Sequence, residues 1–518
     1  MRTFRLRRKL THLIGLLLCC FLAIQFISVS FGSYEREVKD SPNLALPTSL
    51  DPWNIETRGE GEGRKNVGRD LNLFRAGLLE QARSYEDKNL ISETLEESKK
   101  DEHIESLQAS KRAPSTIRRF SRVPPAALQE ETCPGCYGTS LCDKFYAGNI
   151  TLDMETVGLT KEKGVFYGEM DGQKIVGKYL ANQQEFKRLD HFICQNSSRR
   201  VQPNQPCDVS WDVLHSHLAK RAALDVRYIR NDLHKVAQKE ASSLSIALCA
   251  SDRFMGELKE VYGLSRWNRE TSPEVATLMT SLLLNPEGLL LKFFEQKVPE
   301  LQKYFPAYLG ECGRMIVVAE AGVPLSEYRN ASWDIRADLA RQIFQMIHDF
   351  QHASPDWMVI LADFSFDNFA VTPDRRIQLL DLEDISIVDK QEIASAKKLP
   401  PFKEPCNEEC FVSFVSNLYQ SGGKDCAHVP MYSQIMLLHA CHRLLSDLES
   451  TKYLRFFYPE SEKQKPKVGL LHDIPDVLEP NLSNLLFNCV FESIPGQRRQ
   501  SANIIKRLLE AIGRHLTQ

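Results

Sequence analysis

A chain of 518 residues has room for one large domain with extensions, or for two or three domains. Its net charge of −3 carries no global bias toward nucleic acid, so no nucleic-acid partner is expected. The charge is unevenly placed, however, and the order of the elements carries more information than the totals.

Arg2, Arg5, Arg7, Arg8 and Lys9 precede an uncharged, mostly apolar run at 13–33. Its 21 residues are enough to cross a bilayer, with the basic flank 1–12 left in the cytosol. The apolar core of a cleaved signal peptide is shorter, so the length favours an uncleaved type II signal anchor. Small residues at Ser28, Ser30 and Gly32 keep the signal-peptide reading open. Either way the remainder is expected to be lumenal or extracellular. Cysteine usage agrees. Cys19 and Cys20 lie in the apolar run. Cys133, Cys136, Cys142, Cys194, Cys207, Cys249, Cys312, Cys406, Cys410, Cys426, Cys441 and Cys489 form an even set that suits disulfide bonding, with the pairing left open. Cys133-x-x-Cys136 has no second such pair to complete a zinc site. Sequons at Asn149, Asn196, Asn330 and Asn481 fit a secretory route and a glycoprotein.

Residues 34–130 read as a disordered stem: they have no cysteine, few aromatics and charge blocks such as 96–102, although apolar recurrence at 71–85 permits one helix. The folded domain is expected at 131–518. Strand-like runs at 165–170 and 173–180 flank Asp171-Gly172, a hairpin signal. On the second strand Val176, Lys178 and Leu180 share a face, which places a lysine among apolar neighbours. Such a lysine either snorkels to water or is held over phosphates. The helix expected at 183–194 offers Glu185 as its ion-pair partner, with Asp190 the weaker alternative. Gly158 and Gly164 stand where a phosphate-covering loop would lie, but they form no G-x-G-x-x-G.

Helical patterns follow at 208–300, including one apolar helix at 279–294 to which no chemistry is assigned. A strand at 315–318 runs into Ala319-Glu320-Ala321-Gly322, a hinge-like link. Ser332 is the expected N-cap of an amphipathic helix at 334–350, whose stripe is Ile335, Leu339, Ile343, Ile347 and Phe350. A loop is expected at 392–406, then helices at 411–419, 432–448 and 504–516.

The chemistry concentrates at 363–381. Phe369-Ala370-Val371 and 377–380 read as two strands joined by the turn Thr372-Pro373-Asp374-Arg375-Arg376. Asn368 precedes the first strand and Asp381 follows the second, so the hairpin brings both to one open end, with Asp363 five residues upstream of Asn368. Oxygen donors at one mouth suit a hard cation such as Mg²⁺. Asp363-x-x-x-x-Asn368 alone is a common pattern; the hairpin and Asp381 give it weight.

A lysine hairpin, a helix with an acid, a strand with a hinge, a long helix, D-x-x-x-x-N, a second hairpin and an Asp follow the protein-kinase order of parts. With the apolar N-terminal run and the cysteines, the chain resembles the divergent protein kinase domain family of the secretory pathway, in its second branch, the deleted-in-autism-related proteins. The resemblance rests on Cys133-Pro-Gly-Cys136-Tyr-Gly-Thr-Ser-Leu-Cys142, Tyr308-Leu-Gly-Glu-Cys312-Gly-Arg-Met315 and Asp363-Phe-Ser-Phe-Asp-Asn-Phe-Ala-Val371, and covers about residues 131–518. It implies an α+β, bilobal protein-kinase-like fold with disulfides, a small lobe over about 131–320 and a large lobe over about 321–518.

The resemblance also implies ATP with Mg²⁺ or Mn²⁺. Lys178 would contact the α- and β-phosphates and Glu185 would pair with it. Asp363 would act as catalytic base, and Asn368 and Asp381 would hold metal. The acceptor would be a protein or glycan hydroxyl in the Golgi lumen or outside the cell. Four departures bear on this: Leu361-Ala362 replaces His-Arg, Ser365 stands where many kinases place a phosphate-contacting Lys, Asp381-Leu382-Glu383 replaces D-F-G, and no A-P-E follows. They keep open a catalytically inactive pseudokinase, a secreted ligand or scaffold for a cell-surface receptor. A stem-anchored glycosyltransferase, with Asp381, Glu383 and Asp389 as metal candidates, would leave the lysine hairpin unexplained.

Overall fold

The computed structural model describes residues 120–153, 164–197, 207–215, 251–264, 272–361, 363–395, 429–448 and 468–515. The apolar run at 13–33, the part of the expected 34–130 stem up to residue 119, Gly158 and the helices expected at 71–85 and 411–419 lie outside the described residues. Residues 121–128 correct the end of that stem, because Ser121–Arg122 join a sheet and Val123, Ala127 and Leu128 are buried in a core. Among the described residues no helix is long and apolar enough to cross a membrane.

The architecture is mixed. Strands β1 (Ser121–Arg122), β2 (Ile150–Leu152), β3 (Gly164–Met170), β4 (Gln173–Tyr179), β5 (Tyr308–Cys312) and β6 (Met315–Ala319) form a six-stranded sheet in the order β1-β2-β3-β4-β6-β5, with every pair antiparallel. Between β3 and β4, Asp171 (φ 51°) and Gly172 (φ 80°) both take the left-handed conformation that a two-residue hairpin turn requires. Gly177 precedes the lysine because a Cβ there would lie 2.8 Å from Leu152 Cδ1 and 3.1 Å from Met315 Sδ. Lys178 therefore sits in the middle of the sheet, opposite Val165 on β3 and Ile316 on β6.

Helix α1 (Gln183–Gln195) follows β4 and buries Phe186, Leu189 and Ile193. Then come α2 (Asp252–Val261), α3 (Pro273–Leu284) and α4 (Glu287–Lys297). The apolar stretch 279–294 is thus two helices rather than one. Asn285 is extended (φ −157°, ψ 123°), and Pro286 behind it has no N–H to continue the ladder, so the chain breaks there.

After β6, residues 320–322 carry the chain to β7 (Val323–Pro324), the edge of a second sheet. Gly322 takes φ +123° and packs its backbone against Val371, where a Cβ would stand 2.3 Å from the carbonyl oxygen. Helix α5 (Trp333–His352) follows. Ser332 is its N-cap position, but its hydroxyl makes no capping hydrogen bond. Leu339, Ile343, Ile347 and Phe350 are buried, with Ile335 packed at the edge. Strand β8 (Trp357–Leu361) leads into the acid-rich loop, then β9 (Phe369–Val371), β10 (Ile377–Leu379) and β11 (Ile385–Asp389). The second sheet has the order β10-β9-β7, and β11 pairs with β8. A helix at Lys390–Ser395 occupies the start of the expected 392–406 loop, whose remainder lies outside the described residues.

Helix α6 (Val429–His439) continues into a π-helical segment, Ala440–Leu445. Helices α7 (Asn481–Val490) and α8 (Gln497–His515) complete the described chain. One large apolar core runs through α3, α4, α5 and α6 and under β6 and β8. A second, smaller core lies on the sheet, where Leu152, Phe166 and Met315 meet Phe145. Disulfides join Cys133–Cys136, Cys142–Cys312, Cys194–Cys207 and Cys441–Cys489. Cys133 and Cys136 therefore bond to each other; Cys249, Cys406, Cys410 and Cys426 lie outside the described residues.

Candidate active site

The hairpin at 369–379 has the register its sequence implies: Phe369 faces Leu379 and Val371 faces Ile377. One bond extends it, from Leu380 N to Asn368 O at 2.7 Å. Asp381 begins one residue beyond that bond, so Asn368 and Asp381 do share the open end. Asn368 donates from Nδ2 to Asp363 Oδ2 at 2.8 Å, so Oδ1 is the end that a cation would use. Asp381 Oδ1 accepts from the Glu383 backbone N–H at 2.9 Å, a turn that brings a second carboxylate alongside.

Lys178 reaches this place from the first sheet. Its Nζ donates to the Leu380 carbonyl at 2.7 Å and lies 2.6 Å from Glu287 Oε1. The pair is nearly dry, with Lys178 12% and Glu287 3% exposed. This corrects the expected Lys178–Glu185 pair. Glu185 is held by a capping box at the start of α1: Asn182 Oδ1 accepts from the Glu185 N–H, and Glu185 Oε2 accepts from the Asn182 N–H at 2.7 Å. Asp190, the other candidate, is bound to the buried guanidinium of Arg314.

Glu287 opens α4, the last α-helix before the β5–β6 hairpin, and Asn285 fixes that start. Its Oδ1 accepts from the Glu287 N–H at 2.9 Å, while its Nδ2 donates to the Leu180 carbonyl at 3.1 Å and to Glu383 Oε2 at 3.0 Å. One amide thus ties the end of the lysine strand, the first turn of α4 and the loop after Asp381. The charge is concentrated there. Burial pushes the Glu287 carboxyl up to about 7; Lys178 pulls against this, and the charges of Asp381 and Glu383 add to the rise. The Tyr137 hydroxyl, contributed by the turn after Cys136, is raised well above the tyrosine range by burial and then by Glu383, against the pull of Arg314.

At the other end, Arg443 Nη1 lies 2.5 Å from Asp363 Oδ1, and Asp363 remains one-third exposed. Asp389, the alternative metal candidate, pairs with Trp357 at the start of β8, the end of that strand away from Asp363. It is buried at the end of β11 and held by Arg253 and Ser251, with Arg253 stacked over Trp357.

The structure therefore gathers Lys178, Asp381 and the Asn368–Asp363 pair and leaves Glu185 aside. Glu287, Asn285 and Arg443 were not singled out by sequence. A signal existed for the first two: a polar Asn-Pro-Glu step between Leu282-Leu283-Leu284 and Leu289-Leu290-Leu291. Arg443 had none, because its segment reads as an ordinary apolar helix. As for fit, Asn368 and Asp381 offer oxygen donors at one partly exposed end, and the surplus of carboxylates beside them is what a divalent cation would neutralise.

The family described as the protein-kinase domain of FAM69 matches residues 279–492. Divergent protein kinase domain 2A of Homo sapiens is 27% identical over 443 residues, covering 80% of this chain and 93% of that protein. The Xenopus tropicalis 2A protein is 31% identical over 310 residues, with 56% and 67% covered. Divergent protein kinase domain 2B of Mus musculus is 23% identical over 339 residues, with 62% and 73% covered. The chain belongs to the divergent protein kinase domain family.

Proposed function

We propose that this chain is a bilobal, secretory-pathway kinase that transfers the γ-phosphoryl group of ATP to a protein or glycan hydroxyl, in the Golgi lumen or outside the cell. The observation that carries this reading is the docking of Lys178 on Glu287 and on the Leu380 carbonyl, beside Asp381. A buried lysine held one residue from an acidic metal-ligand candidate is a phosphate-binding arrangement, and protein kinases use a lysine–glutamate pair in this way. Asn368 and Asp381 would hold Mg²⁺ or Mn²⁺, which supplies charge neutralisation at the β- and γ-phosphates.

The chain's own residues then have defined tasks. Lys178 orients the α- and β-phosphates, and Glu287 fixes Lys178. Asp363 takes the proton of the acceptor hydroxyl as its oxygen bonds to the γ-phosphorus. The bond from that phosphorus to the β–γ bridging oxygen breaks, and ADP leaves with the electron pair. Asn368 keeps Asp363 aimed through its 2.8 Å hydrogen bond.

Thermal melting of the full chain tests the reading. Melting curves would be compared without ligand, with Mg²⁺ or Mn²⁺ alone, and with metal plus ATP, for wild type and Asp381→Ala. A metal-dependent ATP shift that disappears in Asp381→Ala is the expected result. No shift under any condition would remove the catalytic assignment and leave a secreted pseudokinase ligand or scaffold for a cell-surface receptor.

A further inference from the structure

Arg443 lies outside every motif read from the sequence, yet its guanidinium sits on the carboxylate assigned as base. We infer that Arg443 supplies the positive charge at the phosphoryl-transfer end of the site, a task for which Ser365 has no charge. The inference rests on the kinase reading above.

Three observations carry it. First, Arg443 Nη1 is 2.5 Å from Asp363 Oδ1, while Asp363 Oδ2 is taken by Asn368. The cation is thus beside the carboxylate that must face the acceptor and the γ-phosphate. Second, Arg443 is only 8% exposed and Asp363 34%, so the charge acts from a largely dry wall onto a wet mouth, where its field is weakly screened. Third, its backbone is fixed. Arg443 belongs to the π-helical segment Ala440–Leu445, a distortion that often marks functional positions. Cys441, two residues before it, is bonded to Cys489 on α7, and His442 beside it is fully buried. A planar guanidinium is the group suited to hold a carboxylate and face a phosphate together. Lys178 serves the other end, against Leu380 and Glu287.

The test is calorimetric titration of the full chain with ATP and, separately, ADP, each with Mn²⁺. Wild type is expected to bind ATP more tightly than ADP. Arg443→Ala should lose that preference through a roughly ten- to hundredfold fall in ATP affinity, with ADP affinity unchanged. Arg443→Gln, which keeps the reach, should behave alike and serves if the alanine variant does not fold. Adding Ser365→Lys to either should restore the preference. In Arg443→Gln/Asp363→Asn the ATP preference should stay lost; its return would mean that Arg443 only neutralises Asp363 and would overturn the inference. A folded Arg443→Ala or Arg443→Gln with the wild-type ATP-to-ADP ratio would overturn it as well, leaving the proposed function standing. A wild type that binds neither nucleotide would overturn both.

Discussion

Two short ion pairs bound the site, each with a largely buried cation, and they differ in the exposure of the acid. Lys178–Glu287 spans 2.6 Å at 12% and 3% exposure and joins positions 109 residues apart. Arg443–Asp363 spans 2.5 Å, but its acid is 34% exposed. The first pair is part of the frame: Asn285 and Leu380 bind it to three separate segments. The second lies at the mouth, where the acid stays in contact with water, as the proposed base would have to. Burial makes the first pair costly to break. The second is cheaper to break for the fold, because water reaches its acid, although its cation is as buried as Lys178.

The largest effect should follow from breaking the dry pair on its acidic side. Glu287→Ala leaves Lys178 charged and largely buried, and should cost about 3–5 kcal/mol of stability by urea unfolding. Lys178→Met is the informative contrast. Glu287, pushed up to about 7 even beside the lysine, rises further without it and stays protonated at neutral pH. The native state then binds a proton that the unfolded state, with an ordinary glutamate, has released. Stability therefore falls as pH rises from the ordinary glutamate range through the folded value. Lys178→Met should be milder than Glu287→Ala at pH 6 and should worsen toward pH 8. Equal losses for the two variants at both pH values would show that the pair is not desolvated as described.

The mouth is held by other means. Removing the Cys441–Cys489 bond in Cys441→Ala/Cys489→Ala should lower stability by about 2–4 kcal/mol, and should reduce the ATP-over-ADP preference as Arg443→Ala does. A full stability loss with unchanged preference would detach the π segment from the nucleotide. Beside that segment, His439 is fully buried, and burial, with Arg443 and Arg498 nearby, pushes its imidazole down to about 3. It is neutral when folded and charged when unfolded, so its contribution is intact above the ordinary histidine range and is lost as pH falls toward 3. His439→Gln should flatten the acid limb of stability by about 2 kcal/mol between pH 7 and pH 5.

What could be read from the sequence follows the range of the interactions. The hairpin at 369–379 was legible because its turn residues and alternation are local, and Asn368 and Asp381 came with it. Lys178 was legible from its face on β4. Its partner was not, because α4 reaches it across 109 residues, and no local pattern reports such a contact. The mistaken partner had a readable explanation. Asn182-x-x-Glu185 is a capping-box spacing, and a glutamate that returns to its own N-cap is already committed. The break at Asn285-Pro286 was likewise visible in residue type but hidden by the surrounding leucines. Arg443 depends on a π segment that apolar periodicity cannot foresee.

The smallest effect on stability, and the sharpest on function, belongs to Asp363→Asn. The substitution keeps an oxygen for Arg443 but takes the Asp363 charge away from a guanidinium that is only 8% exposed, so stability should fall by about 1–2 kcal/mol, less than for Glu287→Ala because residue 363 is one-third exposed to water. Phosphoryl transfer should be lost, since an amide takes no proton. A second consequence follows from the hydrogen-bond directions. Asn368 now donates from Nδ2 to Asp363 Oδ2. If the new amide turns its own NH₂ toward Asn368, that donor must give way, and Asn368 satisfies the contact only by presenting Oδ1, the end assigned to metal. Asp363→Asn should therefore weaken Mn²⁺ binding although residue 363 is not a ligand, and Asp363→Ala, which makes no such demand, should weaken it less. Titration of Mn²⁺ into both variants in the presence of ATP checks this. Equal affinities would mean that Asn368 does not hold metal through Oδ1, and the metal assignment would then rest on Asp381 alone.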